Sequence, residues 1–234
     1  MGMARQIAYA AFMIATLIDS LLIGGPKPFR SDGTQSAMAR EATDAPAMLR
    51  QNGFDGDQVA DPSVHGGPEK ALHLYPPEHY PYWNIKLDGH SLLKQAGAFG
   101  ENISASGMTE EKVKIGDRFS MGAAVVEICQ GRQPCWKIDH HFGVHGLSRE
   151  VIRTGKGGFY FRVIEEGIVQ RGDVIQQITA ADHDWTVARV FKLLIAGGHR
   201  ADGARADLAK LVELETLSAV WRNRAAALLS QALS

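Results

Sequence analysis

Short β-type segments separated by glycine turns recur through this sequence and leave few folds open to it. Residues 112–115 alternate, a Gly116-Asp117 turn leads into 118–121, and residues 123–128 form an apolar run rich in β-branched side chains. Residues 158–164 alternate again, the Glu165-Glu166-Gly167 turn joins them to Ile168, and Gly172-Asp173 introduces 174–178. Segments this short cannot bury a face alone. They must pair around one core, which predicts a β-barrel or closed sheet. The 25 glycines agree, because tight turns and close backbone approaches require them.

The rest of the chain is read against that barrel. Residues 7–23 are apolar behind Arg5, which raises a signal peptide or a short membrane segment. Asp19 and Ser20 interrupt the run and no small-x-small cleavage site follows, so residues 16–23 are read as a buried first strand ending at Gly24-Gly25-Pro26. Residues 1–15 become an N-terminal extension. Residues 24–61 read as strands and turns, with a short helical piece at 45–51. Prolines 76, 77 and 81 prevent a long helix, and 91–95 form a short one. After Asp182 the period changes. Val187, Val190, Phe191 and Leu194 mark a helix over 186–195 that stops at Gly197-Gly198. Residues 204–211 and 217–233 give two more. The expected fold is mainly β with α, a barrel domain over 16–182 followed by a small C-terminal three-helix domain over 183–234.

A net charge of -1 recruits neither a nucleic acid duplex nor an acidic membrane. From Asp184 onward seven Lys/Arg face five Asp/Glu, too small an excess for a DNA-binding helical tail. The only cysteines are Cys129 and Cys135, so there is no disulfide framework. Cys129 falls in a strand and is expected to pack as a small apolar residue, whereas Cys135 follows Pro134 in an accessible loop.

Three clusters could carry chemistry. In Gln130-Gly131-Arg132-Gln133-Pro134-Cys135-Trp136, a cation from Arg132, Lys137 or His140 could favour the Cys135 thiolate, the form that attacks and binds metals. A structural cysteine at a strand end fits equally well. In His65-Gly66-Gly67-Pro68-Glu69-Lys70-Ala71-Leu72-His73, the glycine amides could form an anion nest, with Lys70, His65 and His73 adding charge and donors. A tight turn beside a packed histidine is the plainer account. Phe99-Gly100-Glu101-Asn102 offers a wall, a close approach, an acceptor and an amide, or simply a capped turn. The Cys129, Cys135, His140, His141 spacing is not a usual zinc pattern, and no local signature supports a Cys-His hydrolase.

Taken in order, these pieces resemble the MOSC domain, and within it the YiiM type. The resemblance runs through Gly53-Phe54-Asp55-Gly56-Asp57, Val64-His65-Gly66-Gly67-Pro68, Ala71-Leu72-His73, Tyr75-Pro76-x-Glu78-His79-Tyr80, Phe99-Gly100-Glu101-Asn102, Gly116-Asp117 and Arg132-x-Pro134-Cys135-x-Lys137. It implies a barrel that holds a molybdenum cofactor, the pterin-based molybdopterin, with Cys135 as metal ligand. Gly66, Gly67, Lys70, Phe99, Gly100, Glu101, Asn102, Arg132 and Pro134 would line the cofactor pocket.

The resemblance also implies an enzyme that reduces N-hydroxylated compounds such as hydroxylaminopurines. His65 or His73 is the candidate proton donor to the leaving oxygen, which makes Cys135, His65 and His73 the expected catalytic set. No flavin or iron–sulfur motif is visible, so electrons are expected from a separate donor protein, and no pyridoxal phosphate is required. The expected setting is cytoplasmic, with no membrane partner and with a homodimer compatible. The competing reading is a cofactor-binding or sulfur-carrier module, in which Cys135 bears a persulfide and no reduction turns over.

Overall fold

A computed structural model describes residues 13–231. Most of the expected extension at 1–15, and the last residues of the expected final helix, lie outside that range. Its strands are β1 Ala15–Leu17, β2 Ser20–Ile23, β3 Lys27–Pro28, β4 Gln35–Ser36, β5 Glu41–Ala42, β6 Ala47–Arg50, β7 Gly53–Phe54, β8 Leu72–Tyr75, β9 Ile103–Ser104, β10 Arg118–Met121, β11 Ala124–Gly131, β12 Phe159–Glu165, β13 Gly167–Val169 and β14 Val174–Thr179. The helices are α1 Pro62–His65, α2 Tyr80–Lys86, α3 Lys137–Phe142, α4 Leu147–Thr154, α5 Val187–Leu194, α6 Ala204–Val212 and α7 Ala219–Gln231.

Nine strands form one sheet in the order β1-β14-β10-β11-β12-β8-β9-β2-β5, antiparallel except for β8 beside β9. Its curvature follows from connectivity. β1 pairs with β14 near one end and β2 pairs with β9 near the other, yet only Ile18 and Asp19 separate them. Three Cα steps from Leu17 to Ser20 span at most about 11 Å, so the sheet must curl until β1 and β2 come close. Ile18 is buried at the bend. The expected single strand over 16–23 is therefore two strands serving opposite ends of one curled sheet.

The expected helical piece at 45–51 is instead β6, paired with β13 and β7. Ala47 and Leu49 are buried while Arg50 is exposed, a period of two over four residues. Residues 112–115 are not a strand. Val113 and Ile115 are fully buried, but amides 112 and 113 bond back to Thr109, and the pairing with another segment is a single bridge of Lys114 opposite Thr186, made by Ile115 N to Trp185 O and Val187 N to Val113 O, both at 3.0 Å. Alternation here reflects an irregular segment packed on the core. The three C-terminal helices are present, and Val187, Val190, Phe191, Leu208, Leu211 and Trp221 share one apolar cluster with the barrel residues Leu72, Phe119 and Phe161. Among the described residues no helix is long and apolar enough to cross a membrane.

Strand period two also places the site. On β8, Leu72 and Leu74 enter the barrel core, whereas Tyr75 joins a second cluster with Trp83, Phe99, Ile138 and Phe142 on the other side. His73 shares the Tyr75 face.

Candidate functional site

On β12, Phe159 and Phe161 enter the barrel core and Tyr160 points the opposite way, directly across from His73. The two rings lie 5.1 Å apart. On the neighbouring strand the register jumps from Ile128 opposite Phe161 to Gln130 opposite Tyr160, leaving Cys129 as the extra residue of a bulge. Past the bulge, Gly131 lies opposite the core residue Phe159, and Arg132 after it reaches the cavity lined by His73 and Tyr160. A Cβ on Gly131 would lie 3.1–3.3 Å from Trp221, Phe191 and Val187 of the C-terminal helices, tighter than ordinary contact. Those helices thus seat the strand end that leads to Arg132.

Against this face lies a cavity of about 610 Å³, within the usual range for small-molecule sites. The structure brings Cys135, His65, Gly66, Gly67, Lys70, His73, Phe99, Gly100, Asn102 and Arg132 into its wall. Cys135 is partly exposed, as expected of a loop thiol, while Cys129 is buried and donates toward Glu69 O at 3.2 Å. Burial pushes the Cys129 thiol up to about 12.

Two expected pocket residues lie elsewhere. Glu101 is fully buried behind the wall, where its carboxylate accepts from Gly97 N at 2.6 Å, Phe99 N at 3.0 Å and Tyr80 Oη at 2.9 Å. It organises its own loop. Burial raises its pKa while the loop amides and the Tyr80 hydroxyl oppose the rise. Pro134 is buried beside Cys135 and does not line the cavity.

Arg40, Asp57 and Tyr160 line the cavity and were not singled out as site residues in the sequence. Asp57 had a signal, since it closes the Gly53-to-Asp57 motif. Arg40 had none, because its place depends on partners distant in sequence. It donates to Asp57 Oδ1 and Oδ2 at 2.8 and 2.9 Å and to Gly100 O at 2.6 Å. Asn102 Nδ2 donates to Asp57 Oδ2 at 2.9 Å and Asn102 N to His73 O at 2.9 Å, tying the Gly100 loop to β8.

The electrostatics favour an anion. Among the described residues the wall carries Arg40, Lys70, Arg132 and Lys137 against one carboxylate, Asp57, which is occupied by Arg40. Arg132 is 7% exposed and its Nη1 has no hydrogen-bond partner. Half-burial lowers the pKa of His65, and the cations Lys137, Lys70 and Arg132 add to the effect. His73 is fully buried between Gly157 O, 3.1 Å from Nε2, and Gly100 O, 3.4 Å from Nδ1, and burial beside Arg132 pulls it down to about 3. Gly67 lies at φ +94° with open space where a Cβ would stand, so a ligand can approach its backbone closely.

The MOSC domain family profile matches residues 61–176. The chain is 43% identical to the uncharacterized protein YflK of Bacillus subtilis over 70% of its own length and 73% of that protein. It is 39% identical to protein YiiM of Escherichia coli over 67% and 69%. A protein named reductase from Gibberella moniliformis is 35% identical over 69% of this chain, which spans 29% of that longer protein. The crystal structure of YiiM from Geobacillus stearothermophilus superposes with a TM-score of 0.76 at 28% identity, covering 92% of this chain and 99% of that one. By these likenesses in sequence and fold, the chain belongs to the MOSC domain family and is of the YiiM type.

Proposed function

We propose that this chain binds the molybdenum cofactor in the cavity, with Cys135 as the thiolate ligand of the metal, and reduces N-hydroxylated compounds such as hydroxylaminopurines with electrons from a separate donor protein. One observation carries the reading: the accessible Cys135 sulfur shares a wall with Arg132, whose buried Nη1 is unpartnered. A buried N–H without an acceptor is costly, so the wall is suited to an anion arriving from outside. The donor set fits the cofactor. A soft thiolate suits the metal, and the cationic wall suits the phosphate and dithiolene of the pterin. Membership of the MOSC family and the name of the Gibberella relative support redox chemistry.

When bound, the cofactor supplies two electrons that, with two protons, convert an N–OH group to N–H and water. The chain's residues do the rest. Cys135 anchors the metal. Arg132, Lys70 and the open backbone at Gly67 hold the anionic part. Phe99 and Tyr160 close the wall against water. His65 delivers a proton to the leaving oxygen; burial lowers its pKa first and the cations Lys137, Lys70 and Arg132 after it, and an anion in the cavity opposes the cationic part. His73, neutral down to about pH 3, is unsuited to that task.

The test is elemental analysis for molybdenum in the native chain and in Cys135→Ala, followed by turnover with an artificial electron donor and an N-hydroxylated base. We expect metal in the first, none in the second, and loss of the hydroxyl group with the loaded enzyme. A metal-free chain from a cofactor-competent host, or full loading of Cys135→Ala, refutes the reading. Loading without turnover reassigns the chain as a carrier.

A further inference from the structure

Behind the cavity wall, His79 and Glu110 form a buried pair, Nε2 to Oε2 at 2.6 Å, with side chains 3% and 2% exposed. The other carboxylate oxygen, Glu110 Oε1, accepts from Gly157 N at 3.1 Å and Gly158 N at 2.7 Å. None of these four residues lines the cavity. The carbonyls of the same turn serve residues that do. Gly158 O accepts from Arg132 N at 2.9 Å, and Gly157 O lies 3.1 Å from His73 Nε2. The turn has no slack, because a Cβ on Gly157 would come within 2.7 Å of Arg132 O and one on Gly158 within 2.6 Å of His73 Nε2.

The contacts also select a tautomer. A neutral imidazole has one N–H for two facing carbonyls. Gly100 O already accepts from Arg40 Nη1 at 2.6 Å and is the farther of the two, so the hydrogen belongs on Nε2 and points to Gly157 O. A charged oxygen receiving two amides grips more firmly than a neutral one. Lys156 Nζ, 3.5 Å from His79 Nδ1, and Tyr75, whose ring lies 5.5 Å from that of His79, face the pair.

We propose that Glu110 is a positioning residue of the cavity: by holding the Gly157–Gly158 turn it fixes the backbone of Arg132 and orients His73 as its Nε2–H tautomer. What the positioned residues serve rests on the cofactor reading above, while the positioning itself does not.

The test uses the full chain, 15N-labelled at histidine, with a His73→Gln spectrum to assign the ring and inorganic phosphate as the probe of the Arg132 wall. The native chain is expected to show His73 protonated at Nε2 and bare at Nδ1. In Glu110→Gln the ring becomes a mixture of tautomers and phosphate affinity falls about tenfold, as for other supporting partners of a site, while unfolding stays cooperative. A folded Glu110→Gln chain with native ring signals overturns the proposal, as does a native ring protonated at Nδ1. Should Glu110→Gln not fold, Glu110→Asp is read in the same way. Failure of phosphate to bind the native chain counts against the cofactor reading, and the ring signals still decide the role of Glu110.

Discussion

Arg40 and Asp57 grip each other through two hydrogen bonds, at 2.8 and 2.9 Å, with side chains 9% and 8% exposed. Asp57 also accepts from Gly24 N and Asn102 Nδ2, each at 2.9 Å. Removing the carboxylate leaves a buried guanidinium without its counter-charge. Asp57→Ala is therefore expected to cost about 3–5 kcal/mol in urea unfolding. Lys27→Ala, which breaks the exposed pair with Glu41, should change stability by less than ~1 kcal/mol. Equal losses in the two variants would show that the cavity-wall pair is dispensable.

The two cysteines should differ in reactivity. Cys129 is inaccessible and its thiol is held neutral, whereas Cys135 stands partly open on the cavity. Iodoacetamide at pH 8 is expected to label Cys135 alone in the native chain and both in urea, read by peptide mapping. Native labelling of Cys129 would contradict the packing of the β11 bulge.

The barrel was legible where sequence period and geometry coincide. Residues 118–121 and 174–178 follow glycine turns and 158–164 alternate, and the strands Arg118–Met121, Phe159–Glu165 and Val174–Thr179 all lie in the nine-stranded sheet. Residues 112–115 alternate just as well, yet a turn at Thr109 and one isolated bridge at Thr186 hold them, and they join no sheet. Alternation reports which side faces the core and says nothing of whether a strand lies alongside. The cavity motifs were legible because each is local. Glu101 was misplaced because a carboxylate beside a glycine can face a cavity or bind the amides of its own loop, and the sequence does not distinguish these. Arg40 had no local signature, since Asp57 and Gly100 define its role from 17 and 60 positions away.

His73 sets a sign for acid stability. Its folded pKa is about 3 against an ordinary 6.5, so between those values the unfolded chain takes up a proton that the native chain refuses. The contribution is complete above pH 6.5 and is lost as pH falls, by up to ~1.4 kcal/mol per unit. Between pH 6 and pH 4 the native chain should lose roughly 2–3 kcal/mol more than His73→Gln. Parallel urea midpoints for the two across that range would show that this ring titrates normally.

Gly155 and Gly158 make a matched pair, at φ +71° and +75°. A Cβ at Gly155 meets nothing within 4 Å, while one at Gly158 collides with Leu74 O and comes within 2.6 Å of His73 Nε2. Gly155→Ala is expected to cost about 1–2 kcal/mol from backbone conformation alone. Gly158→Ala adds overpacking of about 1–3 kcal/mol. Thermal unfolding of both variants separates the two effects, and identical shifts would refute the collision.

His65 is the proton source in the proposed reaction. His65→Ala should keep its molybdenum and lose turnover by about 10²–10⁴-fold, in steady-state assays of loaded enzyme. Unchanged turnover would remove His65 from the mechanism.

The bend at Ile18 and Asp19 has a bearing on synthesis. Ile14 N bonds to Gln177 Oε1 across 163 positions, and β1 has β14 as its neighbour in the sheet. At about 5–20 residues per second, a ribosome needs roughly 8–30 s to make that stretch. Throughout that interval the nascent N-terminal strand has a hydrogen-bonding edge and no native mate for it. The last strand to emerge from the sheet is the one that lets the first settle, so nascent chains stalled before residue 174 should be the species that most need a chaperone.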